Sequence, residues 1–159
     1  MENAIFMEFP EAEKEKLHIN NFGRSVTKPG HQYGPAVRSF YLIHYILEGE
    51  GIFSVNGVSH HLKAGQGFII EPDYLTTYTA DQNHPWTYVW LGFSGQEVRG
   101  ILNSIGLRQS SPIFTCGPQQ HLEQYVMDML EHNYATTSDL YRREAMLLLF
   151  FSALAKTKH

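Results

Sequence analysis

The sequence predicts a mainly β unit, a sandwich or small barrel, followed by about three α-helices. Three observations carry that expectation. Between Phe22 and Phe93 the chain is rich in Val, Ile, Tyr, Phe and Thr and is broken by Gly and Pro turns at close spacing. From Gln96 onward the apolar residues recur at helical intervals. The pattern changes only once, with no internal repeat or low-complexity stretch on either side.

In chain order, Phe40–Glu48 (FYLIHYILE) reads as a strand closed by Gly49 and Gly51. Ile52–Val55 and Val58–Leu62 flank Asn56-Gly57, a pair that tolerates positive φ at both positions and so signals a tight hairpin. Pairing Val55 with Val58 puts Phe53, Val55, Val58, His60 and Leu62 on one face, and Ile52, Ser54, Ser59 and His61 on the other. After KAGQG come a strand at Phe68–Glu71, a turn at Pro72-Asp73, a strand around Leu75–Ala80 and the polar loop DQNHP. Trp86–Phe93 is the last strong strand. In the second part, Val98, Ile101, Leu102 and Ile105 form one helical stripe, with Gly106 as its stop. Leu122, Tyr125, Val126, Met129 and Leu130 form another. Ser138 is the expected N-cap of a third helix reaching about Lys156, with Asp139 favourably placed in its first turn.

Composition narrows the function classes. The chain has 159 residues, enough for one domain with a real core, and its 43% hydrophobic and 18% charged residues exclude disorder. Sixteen acidic against twelve basic residues give −4, which leaves no electrostatic footprint for nucleic acid. A single cysteine, Cys116, cannot form an internal disulfide, as expected in a reducing compartment. The N-terminus lacks the basic start and apolar run of a secretory signal. The longest apolar stretch, Ala145–Ala155, is eleven residues with a serine inside it, too short to span a bilayer. A cytoplasmic protein without a membrane segment is expected.

Motifs for phosphate loops, dinucleotide binding, paired thiols and H-E-x-x-H metal sites are absent. His60 and His61 are neighbours on a strand and point to opposite faces, so they cannot chelate one ion; His60 and mid-strand His44 read as structural histidines. Cys116, in the loop-like FTCGP, reads as an incidental thiol. In WTYVWLGF the two-residue period puts Trp86, Tyr88, Trp90 and Gly92 on one face, opposite the apolar Thr87, Val89, Leu91 and Phe93. A row of amphipathic aromatics beside hydrogen-bonding groups suits a sugar, with rings on C–H faces and polar groups on hydroxyls. The same row also suits plain packing between the β-layer and the helices, and spacing alone favours neither.

The run HQYGPAVRSFYLIHYILEGEGIFSVNG, followed by LKAGQGFIIEPDYLTTYTAD and HPWTYVWLGFSG, resembles the N-terminal effector-binding domain of AraC-family transcription regulators. Within that family the similarity is to members controlling sugar-utilisation operons, α-galactoside operons among them, in Gram-positive bacteria. It is strong from His18 to Gly95 and extends to the helical remainder in arrangement. The resemblance implies a cupin-type, jelly-roll β-barrel followed by dimerisation helices, with a sugar inside the barrel under an N-terminal arm. In the family's arabinose regulator a tryptophan of the final strand stacks on the sugar. Trp90 occupies that position here, and Tyr88 replaces a histidine two residues earlier. Tyr78 matches a ligand-contacting tyrosine of the preceding strand, and Arg38 is the counterpart of an arginine before the first strand, displaced by several residues. His31 and Glu71 fall in segments typical of the sugar-operon members and join the expected ligand-binding set.

Metal-binding cupins carry a histidine shortly after the proline of G-x(5)-P, where this chain has Thr76 in PDYLTTY. No metal, no cofactor and no catalytic residues are therefore expected. The resemblance divides the chain into an arm (1–20), a ligand-binding barrel (21–95) and a helical dimerisation region (96–159). The family's helix-turn-helix DNA-binding domain is absent from this sequence, so operator DNA is expected as a partner only through an appended domain. Ile5, Phe6, Met7, Phe9 and Leu17 are the arm residues expected to close over ligand. The broad apolar run Met146–Phe151 marks the third helix for homodimerisation. The rival expectation is a small cupin isomerase or lyase acting on a sugar-like metabolite, which would need a metal or an acid–base pair in the barrel.

Overall fold

The computed structural model describes residues 2–9 and 16–157. The strands are β1 (Glu2–Glu8), β2 (His18–Thr27), β3 (Gln32–Ala36), β4 (Tyr41–Glu48), β5 (Glu50–Val55), β6 (Val58–Lys63), β7 (Gln66–Ile70), β8 (Thr76–Ala80), β9 (Thr87–Ser94) and β10 (Ile113–Thr115). The helices are α1 (Val98–Ile105), α2 (Leu122–Glu131) and α3 (Thr137–Lys156). One sheet runs β1-β2-β9-β4-β7-β10 and the other β3-β8-β5-β6. Without the outer strands β1 and β10, the order β2-β9-β4-β7 against β3-β8-β5-β6 is that of a double-sheet jelly roll. Strands that follow one another in sequence mostly lie in opposite sheets, so the two sheets are bound into one unit.

The hairpin forms as its turn residues dictate. Asn56 and Gly57 take φ of 52° and 76°, and Val55 pairs with Val58, Phe53 with His60 and Ile52 with His61. Phe53, Val55 and Leu62 are buried on the inner face. Ser54 and Ser59 share a 2.8 Å hydrogen bond on the outer one.

The six-stranded sheet separates two cores. Leu42, Ile46, Phe53, Phe68, Ile70 and Trp86 pack between the sheets. Ile43, Tyr45, Val89, Leu91 and Phe93 face the other way and meet Leu102, Val126, Met129, Leu147, Phe150 and Leu154 of the helices. Alternate residues of β4 and β9 serve different cores, which explains why both strands read as continuous apolar runs. Each fully buried Phe, Leu or Ile stabilises the fold by roughly 1.5–3 kcal/mol over exposure.

α1 and α3 end where the sequence predicts, α1 closed by Gly106 at φ 92° and α3 reaching Lys156. The start of α3 differs from expectation. Thr136, not Ser138, is the N-cap: it is extended, and its hydroxyl accepts the Asp139 N–H at 3.1 Å. Arg142 on α3 clasps Asp128 on α2 through two hydrogen bonds of 2.9 and 2.7 Å.

Four strands, β1, β2, β3 and β10, escape the sequence reading. Residues 2–8 pair with β2 along their whole length, and β2 itself begins at His18, within the stretch expected to be the arm. The three-residue β10 lies inside the expected helical region and pairs with β7 opposite Gly67. A Cβ at Gly67 would collide with the Phe114 ring, so the missing side chain is what admits this strand. No helix among the described residues is long and apolar enough to cross a membrane.

Candidate binding cavity

One end of the barrel opens into a cavity of about 420 Å³, within the range of small-molecule sites of about 300–1,000 Å³. Its wall is built by strand register. His44 on β4 pairs with Trp90 on β9, Ile46 with Tyr88, and Gly23 on β2 with Trp90. Across the barrel, Tyr33 on β3 pairs with Tyr78 on β8. Side chains that share a face therefore converge from both sheets.

Trp90, Tyr88, Tyr78 and Arg38, four of the six residues expected from sequence, line this cavity together. The Tyr33 and Tyr78 rings stack at 5.4 Å, and the Arg38 guanidinium lies 5.1 Å from the Tyr33 centroid. Arg38 Nη2 donates to the Tyr78 hydroxyl at 3.4 Å, a long bond, and Nη1 is buried with no hydrogen-bond partner among the described residues. Burial pushes the phenols of Tyr78 and Tyr88 well above their ordinary range, so both keep their protons and can donate.

Trp90 is held in place from two sides. Its indole N–H donates to Asn21 Oδ1 at 3.0 Å. Gly23 leaves room for the ring, since a Cβ there would stand 2.6 Å from the indole. Phe6 of β1 pairs with Gly23 and brings its ring to 6.2 Å from Trp90. Gly92, which continues the aromatic face, opens no space for a ligand: the Asn21 side chain fills it.

The remaining two expected residues lie elsewhere. Glu71 follows Ile70 at the end of β7, and alternation turns it toward the helices, as it turns Ile69. There it accepts two hydrogen bonds from Arg99 of α1, at 3.0 and 2.5 Å, and one from the Gln109 amide at 2.6 Å. Arg99 beside it holds its carboxyl below the usual range, so Glu71 is a brace between barrel and helix. His31 is not among the lining residues; its Nε2 lies 3.7 Å from Oε1 of Glu2, which is one of them.

Sequence reasoning named Phe6 and Phe9 on the arm side but missed Glu2, Ala4 and Glu8 there, and the floor. Glu2, Ala4, Phe6 and Glu8 of β1 alternate into the cavity. Glu2 accepts a short hydrogen bond from the Ser25 hydroxyl. Of the other arm residues expected to cover a ligand, Phe9 also reaches the lining, Met7 and Leu17 pack against the outer core, and Ile5 is exposed. The floor holds His44, 2% exposed, stacked on Phe68 at 4.7 Å and ringed by Tyr78 and Tyr88. Burial, and then the Arg38 charge, hold its pKa well below the ordinary value, so the imidazole is neutral. The register opposite Trp90 was the signal that could have found it.

Among the described residues, one group has the spacing of metal ligands: Glu50, His61 and Asp81, whose ligand atoms lie within 4.8 Å of one another. It belongs to the rim of the smaller sheet and not to the cavity lining. Glu50 already pairs with His61 at 2.7 Å, and Asp81 Oδ2 accepts the amides of Asn83 and His84.

Comparison with known proteins places this geometry in a family context. The AraC-like ligand binding domain profile matches residues 18–150. The Msm operon regulatory protein of Streptococcus mutans is 38% identical over 91 residues, 57% of this chain and 33% of that protein. The raffinose operon transcriptional regulatory protein RafR of Pediococcus pentosaceus is 36% identical over 124 residues, 76% of this chain and 40% of that protein. The chain thus spans well under half the length of these curated relatives. The crystal structure of the protein YhaK from Escherichia coli superposes with a TM-score of 0.50 at 16% identity, covering 58% of this chain and 45% of that one, a likeness of fold.

Proposed function

Because the chain belongs to the AraC-like ligand binding domain family, we propose that it is the effector-sensing part of a cytoplasmic transcription regulator and that a neutral saccharide occupies the barrel cavity. The observation that carries the reading is the cavity itself: the aromatic rings of Trp90, Tyr88 and Tyr78 converge with a buried Arg38 nitrogen that no group among the described residues satisfies. Buried polar groups are rarely left without a partner, and a ligand hydroxyl supplies one. Glu2 and Glu8 against Arg38 give the lining an excess of negative charge, which disfavours phosphorylated or carboxylated sugars. The relative named for the raffinose operon makes oligosaccharides with a galactosyl end the first ligands to try.

A sensor must bind its effector better in one state than in another. β1 is the element suited to that change, because it lines the cavity and is the outermost strand of its sheet. The output surface is α3. Tyr141 and Leu148 lie one heptad apart on its exposed side, 65% and 54% exposed, beside Leu149 at 43%. Such a stripe fits a second copy of the chain. Operator DNA would be engaged by another part of the regulator.

Calorimetric titration with raffinose, melibiose, lactose, sucrose and isomaltose tests the reading. At least one is expected to bind the parent with a micromolar to millimolar Kd, and Trp90→Ala is expected to weaken that binding tenfold or more. Absence of heat for every sugar in the parent, or unchanged affinity in Trp90→Ala, overturns it.

A further inference from the structure

We infer that His44 is a specificity-determining residue at the cavity floor, which reads one particular hydroxyl of the ligand through its imidazole. The inference rests on the saccharide reading above. His44 is 2% exposed and contributes to the lining, yet its Nδ1 is buried without a hydrogen-bond partner among the described residues. An uncompensated buried nitrogen costs stability, and a leucine or phenylalanine at this position would avoid the cost. The ring is also not free to turn away. Phe68 stacks on one face at 4.7 Å with planes 9° apart, and Tyr78 and Tyr88 close in at 4.7 and 4.9 Å. A polar atom kept unsatisfied in a fixed orientation is a poor structural device and a good recognition device.

The geometry supplies the rest. His44 and Trp90 are direct register partners on adjacent strands and share the inner face. A pyranose ring lying on the indole presents its edge to the neighbouring strand, where the imidazole stands. A neutral imidazole offers one donor and one acceptor, and a hydroxyl can answer either. A site committed in this way discriminates strongly against an analogue lacking that hydroxyl, because the nitrogen is then stranded again.

The test uses the full chain and the galactosyl sugar that binds best among raffinose, melibiose and lactose, with the 2-, 3-, 4- and 6-deoxy derivatives of its galactosyl ring. The parent is expected to lose tenfold or more for one deoxy derivative and to vary little over the others. His44→Leu is expected to bind the intact sugar at least tenfold more weakly and to be indifferent to that same deletion. His44→Asn, which keeps a hydrogen-bonding group, is expected to recover part of the discrimination. The unliganded melting temperature of His44→Leu is expected to equal or exceed that of the parent. Equal deoxy profiles in parent and His44→Leu, as from an imidazole satisfied by buried water, overturn this inference alone, as does a destabilised His44→Leu whose sugar affinity is unchanged. If no sugar of the calorimetric panel binds the parent, the saccharide reading fails and this inference falls with it; if only sucrose or isomaltose binds, the same deoxy series is read on its glucosyl ring.

Discussion

Trp90 donates its indole N–H to Asn21 Oδ1 at 3.0 Å, and that same amide fills the space that Gly92 leaves beside the ring. The orientation of the largest aromatic face in the cavity is therefore set by a residue on the neighbouring strand.

Removing this anchor should separate ring position from fold stability. A neutral hydrogen bond of this kind contributes roughly 0.5–1.5 kcal/mol, so Asn21→Ala should melt within a few degrees of the parent. Its indole, released on one side, should show lower fluorescence anisotropy, and affinity for the bound sugar should fall about three- to tenfold. Gly92→Ala should act in the same direction, because its Cβ would meet Asn21 Oδ1 at 2.6 Å. Unaltered anisotropy in both variants would argue against the anchor.

Glu71 should matter to stability and not to ligand. Its side chain is 6% exposed, while Arg99 is 48% exposed, so the pair is only partly desolvated. Glu71→Gln should cost about 1–3 kcal/mol by chemical denaturation and leave sugar affinity within twofold. The acid dependence follows from the depressed folded-state pKa, caused first by the Arg99 hydrogen bond. The contribution is complete above the ordinary carboxyl pKa near 4.5 and is lost as pH falls from there through the lower folded value. Glu71→Gln should flatten that part of the stability–pH curve.

Arg143 ties the helices to Phe9, the residue that follows β1. It is 5% exposed, donates from Nη1 to the carbonyls of His132 and Tyr134 at 2.8 and 2.9 Å, and lies 4.6 Å from the centroid of Phe9. Arg143→Met keeps the packing and strands both carbonyls, at an expected cost of about 2–3 kcal/mol. Arg143→Lys should recover little, because one ammonium does not reproduce the planar fork over a ring. Equal denaturation midpoints for Lys and parent would contradict this.

The exposed α3 stripe should set the oligomeric state. Leu148→Glu, at a side chain 54% exposed, should leave the melting temperature of a monomer unchanged and shift the parent's sedimentation from dimer to monomer at micromolar concentration. A parent that sediments as a monomer at high concentration would remove the dimer from the proposed function.

Strong local signals made most of the fold legible. Asn56-Gly57 set the hairpin register, Gly106 ended α1, and the stripes of α1 and α2 named their buried faces. β1, β2, β3 and β10 were not legible, because an alternation as weak as ENAIFME, a strand interrupted by Gly34-Pro35 and a three-residue strand acquire meaning only from their partners. The same distinction holds at the cavity. Trp90, Tyr88, Tyr78 and Arg38, expected from resemblance, line the cavity, whereas Glu71 lies outside it, because its facing depends on the parity of β7. His44 read as a structural histidine because a single histidine within an apolar run has no local mark of function; its place beside Trp90, 46 positions away in sequence, follows from the register that pairs them.

The two-sided six-stranded sheet has a consequence for genetics. Along β9, successive codons answer to different compartments: Tyr88 and Trp90 to the hollow, Val89 and Leu91 to the helical layer. A saturation scan through this strand should therefore produce a sawtooth, in which even-numbered substitutions yield folded protein deaf to its effector and odd-numbered ones deplete the protein itself. Inducer-blind and low-abundance alleles would interleave one residue apart within a single short stretch of the gene.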